Sequence, residues 1–204
     1  NNTYTGTTTV NAGTLLINGT QTGTGAVTVA AGATLGGTGT LGGAVTNNGI
    51  IAPGASVGTL TQNGNVTMAA NSSLAIELLG ATADKLAVVG NLDLSALGNS
   101  LNVTGVGTGT SWIIASYTGT LTGTFENITS GYSVNYGSLS NGVVTLNQTG
   151  PVGVPGDYNS NGTVDAADYV LWRNGGPLQN EVDNPGTVNA ADYTAWRARF
   201  GNTS

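Results

Sequence analysis

Residues 9–15 read TVNAGTL, and residues 28–35 return to the same phrase as TVAAGATL. A weaker copy, AVTNNGII, occupies residues 44–51. The glycines at the centre of the three copies stand 19 and 17 positions apart. A period near 20 residues indicates stacked supersecondary units, because one unit of this size cannot bury its own apolar side chains.

Apolar and polar residues alternate within the repeats, which is the period of a β-strand. Thr and Val favour strands since their branched side chains fit a pleated surface, while Gly and Asn supply the turns. We therefore predict a mainly β fold, with a parallel β-solenoid (β-helix) of about five coils over residues 1–104. A β-sandwich is the alternative. The alternating pairs are Val27 and Val29, Leu60 and Gln62, Val66 and Met68, and Leu92 and Leu94.

Residues 105–150 differ from the repeats that precede them. WIIASY at 112–117 is a denser apolar stretch, and Ser-Gly at 130–131 and Asn-Gly at 141–142 indicate hairpins. We predict that this region is a β cap, because the last coil of a solenoid would otherwise present an open sheet edge.

The distribution of charge marks a second boundary. Residues 1–150 carry five charged side chains and residues 151–204 carry nine. The segment PVGVPG at 151–156 separates them and is typical of a stiff linker. We predict a separate module at 157–204. The five charged residues of the first part are Glu77, Asp84, Lys85, Asp93 and Glu126.

Composition excludes several classes of function. Charged residues make up 7% of the chain and the net charge is −6, so the cationic surface that nucleic acid requires is missing. Cys and His are both absent, which removes thiolate sites, disulfides and the usual zinc ligands. No apolar run is long enough for a transmembrane helix. The few carboxylates of residues 1–150 are expected to be solvated turn residues, so we predict no enzyme activity.

Residues 157–168 read DYNSNGTVDAAD, which is the layout of an EF-hand calcium loop. Gly162 at position 6 permits the sharp turn, and Thr163 at position 7 would offer its backbone carbonyl. Calcium prefers six to eight hard oxygen ligands, which this spacing supplies. The oxygen-bearing side chains at positions 1, 3, 5, 9 and 12 are Asp157, Asn159, Asn161, Asp165 and Asp168.

The phrase VDAADYVLWR at 164–173 repeats as VNAADYTAWR at 188–197, with an offset of 24. Tyr and Trp three positions apart share a face of each predicted short helix, so the two helices would pack as a miniature core. A module of this size buries little surface, and a metal ion is expected to stabilise it.

The second loop lacks one ligand, because Pro185 occupies position 5 when Gly186 is taken as position 6. Two interpretations stay open: a weak calcium site, or a turn without metal. The candidate ligands are Asp183, the Thr187 carbonyl, Asn189 and Asp192.

Three stretches of the first part resemble the autotransporter-associated β-strand repeat of bacterial passenger domains. They are NTYTGTTTVNAGTL at 2–15, APGASVGTL at 52–60 and ADKLAVVG at 83–90. The resemblance implies a secreted parallel β-helix that serves as a stalk, adhesin or matrix protein.

Residues 156–201 resemble a type I dockerin, and the AADYxxWR phrase is similar to the dockerin-like ends of secreted planctomycete-type bacterial proteins. The resemblance implies calcium-dependent folding and docking to a cohesin-like protein through the residues that match Ala166, Ala167, Ala190 and Ala191. Pro185 and the short spacing between the halves depart from that family's pattern.

Together these observations predict a non-catalytic protein of the bacterial cell surface or extracellular matrix, with Ca²⁺ as its cofactor. Its expected partner is another copy of itself, in a homo-oligomer or a head-to-tail fibre. The alternative is a calcium-dependent docking module that binds a cohesin-like protein and uses the solenoid as a spacer.

Overall fold

The computed structural model describes residues 1–138, 140–149, 154–181 and 187–203. The chain divides into two compact units, Asn1–Asn147 and Gln148–Ser204. Residues 151–153 of the predicted linker lie outside the described residues, as do Asp183, Pro185 and Gly186 of the second loop.

Short strands account for most of the regular structure in the first unit. In chain order they are β1 (Thr8–Val10), β2 (Thr14–Leu16), β3 (Val27–Val29), β4 (Thr34–Gly37), β5 (Thr40–Leu41), β6 (Val45–Asn47), β7 (Ile50–Pro53), β8 (Thr59–Gln62), β9 (Val66–Met68), β10 (Ser73–Gly80), β11 (Thr82–Ala83), β12 (Lys85–Val88), β13 (Leu92–Leu94), β14 (Ser100–Gly107), β15 (Ser111–Tyr117), β16 (Leu121–Gly123), β17 (Asn127–Ile128), β18 (Tyr132–Asn135) and β19 (Val143–Gln148).

These strands form three sheets, and from β3 to β17 the chain visits them in a repeating order, apart from the short β11, which pairs antiparallel with β10. Sheet 1 has the order β1-β3-β6-β9-β13-β16, sheet 2 the order β17-β14-β10-β7-β4-β2, and sheet 3 the order β18-β19-β15-β12-β8-β5. As far as β17, successive passes pair in parallel in each sheet, as in β1 with β3, β4 with β7 and β12 with β8. The fold is therefore mainly β with parallel sheets, consistent with a β-helix-like fold, and it differs from the antiparallel β-sandwich that was the alternative.

Columns of aliphatic side chains form the core of this unit. Leu35, Ile51, Leu74 and Leu101 are in register along sheet 2, and each is at most 1% exposed. Burial of one such side chain contributes about 1.5–3 kcal/mol. The predicted alternation is confirmed, because all eight residues of the alternating pairs are buried.

Threonine covers the outer face of sheet 1. Thr9, Thr28, Thr46 and Thr67 are paired neighbours on successive strands, each at the exposed or half-buried middle position. Hydroxyl groups thus take the place that charged side chains hold on most protein surfaces, which explains the low charge content.

Two glycines show how closely successive passes approach each other. A Cβ atom at Gly36 would overlap the carbonyl oxygen of Ala52, and one at Gly43 would overlap the carbonyl oxygen of Gly25. Any side chain at these positions would force the backbones apart, which is why glycine recurs here.

Asp84 corrects one sequence-based expectation, since it is a buried structural residue and not a solvated turn residue. It is 4% exposed, and its carboxylate accepts hydrogen bonds from the backbone amides of Gly58 and Glu77, both at 2.8 Å. Burial raises the pKa of this carboxyl, while the two amide bonds oppose the shift. Asp84 therefore fastens the 54–58 loop to the sheet.

Parallel pairing continues through β17, so the predicted start of the cap at residue 105 falls inside β14. The direction changes with β19, which pairs antiparallel to β15 with an irregularity between Ile113 and Ala115. The buried Tyr117 hydroxyl donates to the carbonyl of Tyr136 at 3.0 Å and ties the last loops to sheet 3.

The second unit contains the helices α1 (Ala166–Arg173) and α2 (Ala190–Arg199). Each begins with a capping box, in which Asp165 or Asn189 is the N-cap. Such boxes satisfy the free amides of a first helical turn. Among the described residues, no helix has the length and apolar character to traverse a bilayer.

Candidate functional site

The first predicted loop is organised around Asp157, which is fully buried. Its Oδ1 accepts from the amide of Asn161 at 3.1 Å, and its Oδ2 accepts from the amide of Gly162 at 2.8 Å. Gly162 has a φ of 88°, a value that L side chains adopt rarely. The chain therefore wraps around the carboxylate at the point where an EF-hand loop turns.

The two asparagines of the loop stabilise the same turn. Oδ1 of Asn159 accepts from the amide of Asn161, and Oδ1 of Asn161 accepts from the amide of Thr163, both at 2.9 Å. These local bonds are Asx turns, which fix the orientation of both side-chain amides relative to the loop backbone.

Asp168 closes the loop from the first turn of α1. Its Oδ1 accepts from the amide of Asn159 at 2.9 Å, and its Oδ2 accepts from the amide of Asp165 at 2.8 Å. Asp165 in turn caps the helix by accepting from the amide of Ala167 at 2.7 Å. One hydrogen-bond network thus contains all five predicted side-chain ligands of this loop.

Thr163, at position 7 of the loop, and the residue after it pair with residues 202–203 near the carboxyl end of the chain. It forms an antiparallel bridge with Thr203, and the amide of Val164 donates to the carbonyl of Asn202 at 2.8 Å. Residues 202–203 therefore fix the position of Thr163, whose backbone carbonyl would complete the ligand set.

In the second loop, as in the first, the last carboxylate accepts a hydrogen bond from the amide of the helix N-cap residue. Oδ2 of Asp192 accepts from the amide of Asn189 at 2.7 Å, and the Asn189 side chain donates to the carbonyl of Thr187 at 2.9 Å. Asp192 is fully buried, yet its Oδ1 has no hydrogen-bond partner among the described residues. Asp183, the remaining predicted ligand, lies outside the described residues.

The side-chain and carbonyl oxygens of the two loops fit a hard cation such as calcium. They are all oxygens, and a carboxylate has about four lone-pair sites, so the amide bonds leave acceptor capacity free. A buried carboxylate oxygen without a partner is costly, and a bound cation would satisfy it. Within the described ranges, no three His, Cys, Asp or Glu side chains converge by themselves, so asparagine and carbonyl oxygens would have to complete each set.

Three aromatic side chains connect the two halves of this unit. The indole of Trp172 donates to the carbonyl of Asn189 at 2.7 Å, and that of Trp196 donates to the carbonyl of Asp165 at 2.8 Å. The fully buried Tyr158 donates its hydroxyl to the carbonyl of Asp192. Sequence analysis predicted a shared aromatic face but missed these polar links, and the 24-residue repeat of Trp was the signal that could have found them.

The aromatic face itself is formed as predicted. The rings of Tyr169 and Trp196 lie 5.1 Å apart between centroids, and those of Trp172 and Tyr193 lie 5.0 Å apart. Aromatic pairs at this distance stabilise beyond the area that they bury.

The environment of Tyr158 predicts an alkaline transition of the second unit. Burial, followed by repulsion from the Asp192 carboxylate, raises the pKa of Tyr158 from 10.0 to about 12. The folded state therefore holds this proton more tightly than the unfolded state. Its contribution to stability is fully present below pH 10 and is lost as the pH rises through the folded pKa near 12.

We expect helicity, measured by circular dichroism, to fall between pH 10 and pH 12. A Tyr158→Phe variant should lose this dependence and remain folded more evenly across the window, while Tyr4→Phe, at an exposed tyrosine, serves as the control. Coincident pH profiles for the wild type and Tyr158→Phe would contradict this account of Tyr158.

No protein-family model matches this chain, and no curated protein matches it either. The resemblances to passenger repeats and to dockerins therefore stay predictions, and functional inference rests on the geometry of the loops.

Proposed function

We propose that this chain is a non-catalytic extracellular structural or adhesive protein, in which a β-solenoid is joined to a dockerin-like module that Ca²⁺ stabilises. The observation that carries the proposal is the buried Oδ1 of Asp192, which has no partner among the described residues. A buried carboxylate oxygen without a hydrogen bond is costly, and a bound cation would compensate for it.

The solenoid part of the proposal is supported by the repeating order in which the chain visits three mainly parallel sheets and by the in-register aliphatic columns. Stacked units of this kind depend only on their neighbours, so they suit an extended scaffold. We propose other copies of the chain as its partner; a monodisperse monomer in light scattering at high protein and calcium concentration would contradict self-association.

In the calcium part of the proposal, Asp157, Asn159, Asn161, Asp165 and Asp168 hold the first ion, together with the Thr163 carbonyl. The second ion is held by Asp192 and Asn189 with the Thr187 carbonyl and Asp183. Each ion would supply the positive charge that offsets repulsion among these carboxylates.

The contacts of Asp84 in the first unit support a structural and non-catalytic role. Glu77 and Asp84 line a recess of about 230 Å³ with Pro53, Ser56 and Thr104. Both carboxylate oxygens of Asp84 are hydrogen-bonded to backbone amides, so this group holds a loop in place. A general acid or base would need a carboxyl within reach of substrate.

Calcium removal tests the proposal. Calcium at about 100 times its Kd would stabilise the second unit by about 2.7 kcal/mol relative to chelator, which corresponds to a rise of roughly 10–20 °C in its Tm. Differential scanning calorimetry in calcium, in magnesium and in EDTA measures this shift. Magnesium serves as the control because it demands a smaller, octahedral shell. Identical thermograms in calcium and in EDTA would contradict the proposal.

A calcium-dependent docking module is the second candidate. It is favoured by the exposure of Ala166, Ala167 and Ala190, which match the docking positions of dockerins. A recess of about 340 Å³ lies along α2 between Ala191, Ala195 and Ala198. Binding of a purified cohesin domain in calcium but not in EDTA would identify this function; a cohesin that does not bind in calcium would remove it.

A further inference from the structure

Asparagine is followed directly by glycine at six places in the chain. The backbone nitrogen of such a glycine can attack the side-chain carbonyl carbon of the asparagine, because glycine has no Cβ atom to obstruct the approach. The attack needs a glycine amide that is free of a hydrogen bond and an asparagine side chain that is free to turn. The six asparagines are Asn18, Asn48, Asn63, Asn141, Asn161 and Asn174.

The glycine amide is already engaged after three of these asparagines, which are Asn48, Asn161 and Asn174. An amide proton that an acceptor holds is harder to remove, so attack by that nitrogen requires a local opening of the fold. The three bonds run from Gly49 to Oδ1 of Asn47 at 3.1 Å, from Gly162 to Oδ2 of Asp157 at 2.8 Å, and from Gly175 to the carbonyl of Trp172 at 3.0 Å.

The side chain is held at two of the positions. Asn48 donates its side-chain amide to the carbonyl of Val29, and Asn18 accepts from the amide of Thr38, both at 3.2 Å. The loop of Asn141 includes residue 139, which lies outside the described residues, so the distinction among asparagines concerns the other five.

Asn63 differs from these positions in both respects. It is exposed, in the turn between β8 and β9. Its own backbone amide donates to the carbonyl of Leu41 at 2.7 Å, which anchors the turn. Among the described residues, neither the side chain of Asn63 nor the backbone amide of Gly64 has a hydrogen-bond partner. Both reacting groups are therefore free although the turn itself is anchored.

We propose that Asn63 is a site of spontaneous deamidation, in which its side chain and the Gly64 nitrogen form a succinimide that water then opens. The Gly64 nitrogen loses its proton to solvent and bonds to Cγ of Asn63. The bond from Cγ to the side-chain nitrogen breaks, and that nitrogen leaves as ammonia with a proton from solvent. Water adds to one of the two ring carbonyls and yields aspartate or isoaspartate. The sum is one water consumed and one ammonia released, without oxidation or reduction.

The two products have different consequences for the neighbouring pass of the chain. Aspartate keeps the length of the backbone and adds one negative charge. Isoaspartate adds the same charge but inserts a methylene group into the main chain at a tightly packed turn. A Cβ atom at Gly90 would lie 2.8 Å from the carbonyl of Gly64, so a lengthened turn has little space before it meets Gly90. We therefore expect the isoaspartate form of the full chain to melt at a lower temperature than the aspartate form.

The test compares deamidation in the folded full chain with deamidation in two synthetic peptides, one spanning the turn of Asn63 and one spanning that of Asn48. All samples are incubated in the same mildly alkaline buffer, and peptide mass spectrometry follows the conversion at each position. Asn63 in the folded chain should retain at least about a third of its peptide rate, whereas Asn48, in the same unit, should fall at least about tenfold below its own.

Asn63→Gln is the matched control variant, because it keeps an exposed amide but moves the carbonyl carbon one methylene group farther from the Gly64 nitrogen. It should remain undeamidated at position 63 over the same period while Asn48 behaves as in the wild type. If folding slows Asn63 as strongly as Asn48, the turn does not leave the reacting groups free and the proposal is overturned. Equal conversion at position 63 in the glutamine variant would also overturn it, since attack by Gly64 would then not be the route.

Discussion

Replacement of Asp157 by Ala is expected to abolish calcium binding at the first loop and to unfold the second unit at room temperature. The amide of Gly162 would lose its acceptor, at a cost of about 1–3 kcal/mol, and the amide of Asn161 would keep only its bond to Asn159 Oδ1. A unit of this size rarely has more than about 3–5 kcal/mol of stability without a bound metal or a disulfide. Circular dichroism of the helices and calorimetric titration with calcium measure the two effects.

Asp165→Asn separates the helix cap from the buried carboxylate of Asp157. An asparagine keeps the oxygen that accepts from the amide of Ala167, so the helix cap should survive with a loss of less than about 1 kcal/mol. If Asp157→Ala keeps the helicity of the wild type and releases the same heat on titration with calcium, the buried carboxylate does not organise the loop.

Replacement of Leu86 by Ala is expected to destabilise the first unit by about 2–5 kcal/mol, because the buried side chain leaves a cavity that its neighbours cannot close. Leu86 is 2% exposed and lies in register between Leu60 of β8 and Ala115 of β15. Thermal denaturation followed by the β-sheet signal in circular dichroism measures the loss.

The adjacent residue provides the control, since Lys85 is only half-buried and Lys85→Ala should cost no more than about 0.5 kcal/mol. The calcium-dependent transition of the second unit should be unchanged in both variants, because the two units are compact separately. If Leu86→Ala and Lys85→Ala lower the free energy of unfolding equally, the core does not consist of the in-register columns of buried side chains.

Local patterns predicted the parts of the fold that local chemistry determines. The period of two identified buried positions such as Val66 and Met68, because side chains alternate across a strand whatever the strand pairs with. The spacing of oxygen-bearing residues predicted the turn around Asp157 for a similar reason, since the hydrogen bonds that its five side chains accept from loop amides join residues at most nine positions apart.

Features that depend on distant segments could not be predicted in this way. Asp84 was expected in solvent, but it is buried because the amide of Gly58, 26 positions away, donates to it. The indole bonds of Trp172 and Trp196 also join opposite halves of a repeat. Continued parallel pairing beyond residue 105 depends on the register between strands, which composition does not encode.

The threonine-covered exterior of sheet 1 has a consequence for the environment in which the protein works. Residues 1–76 carry no charged side chain, so mobile ions have no fixed charges there to screen. Screening by salt therefore has little effect on the electrostatics of this part of the molecule. Tolerance of changing salinity would come from hydroxyl groups, without the dense ion-pair networks on which many robust proteins rely.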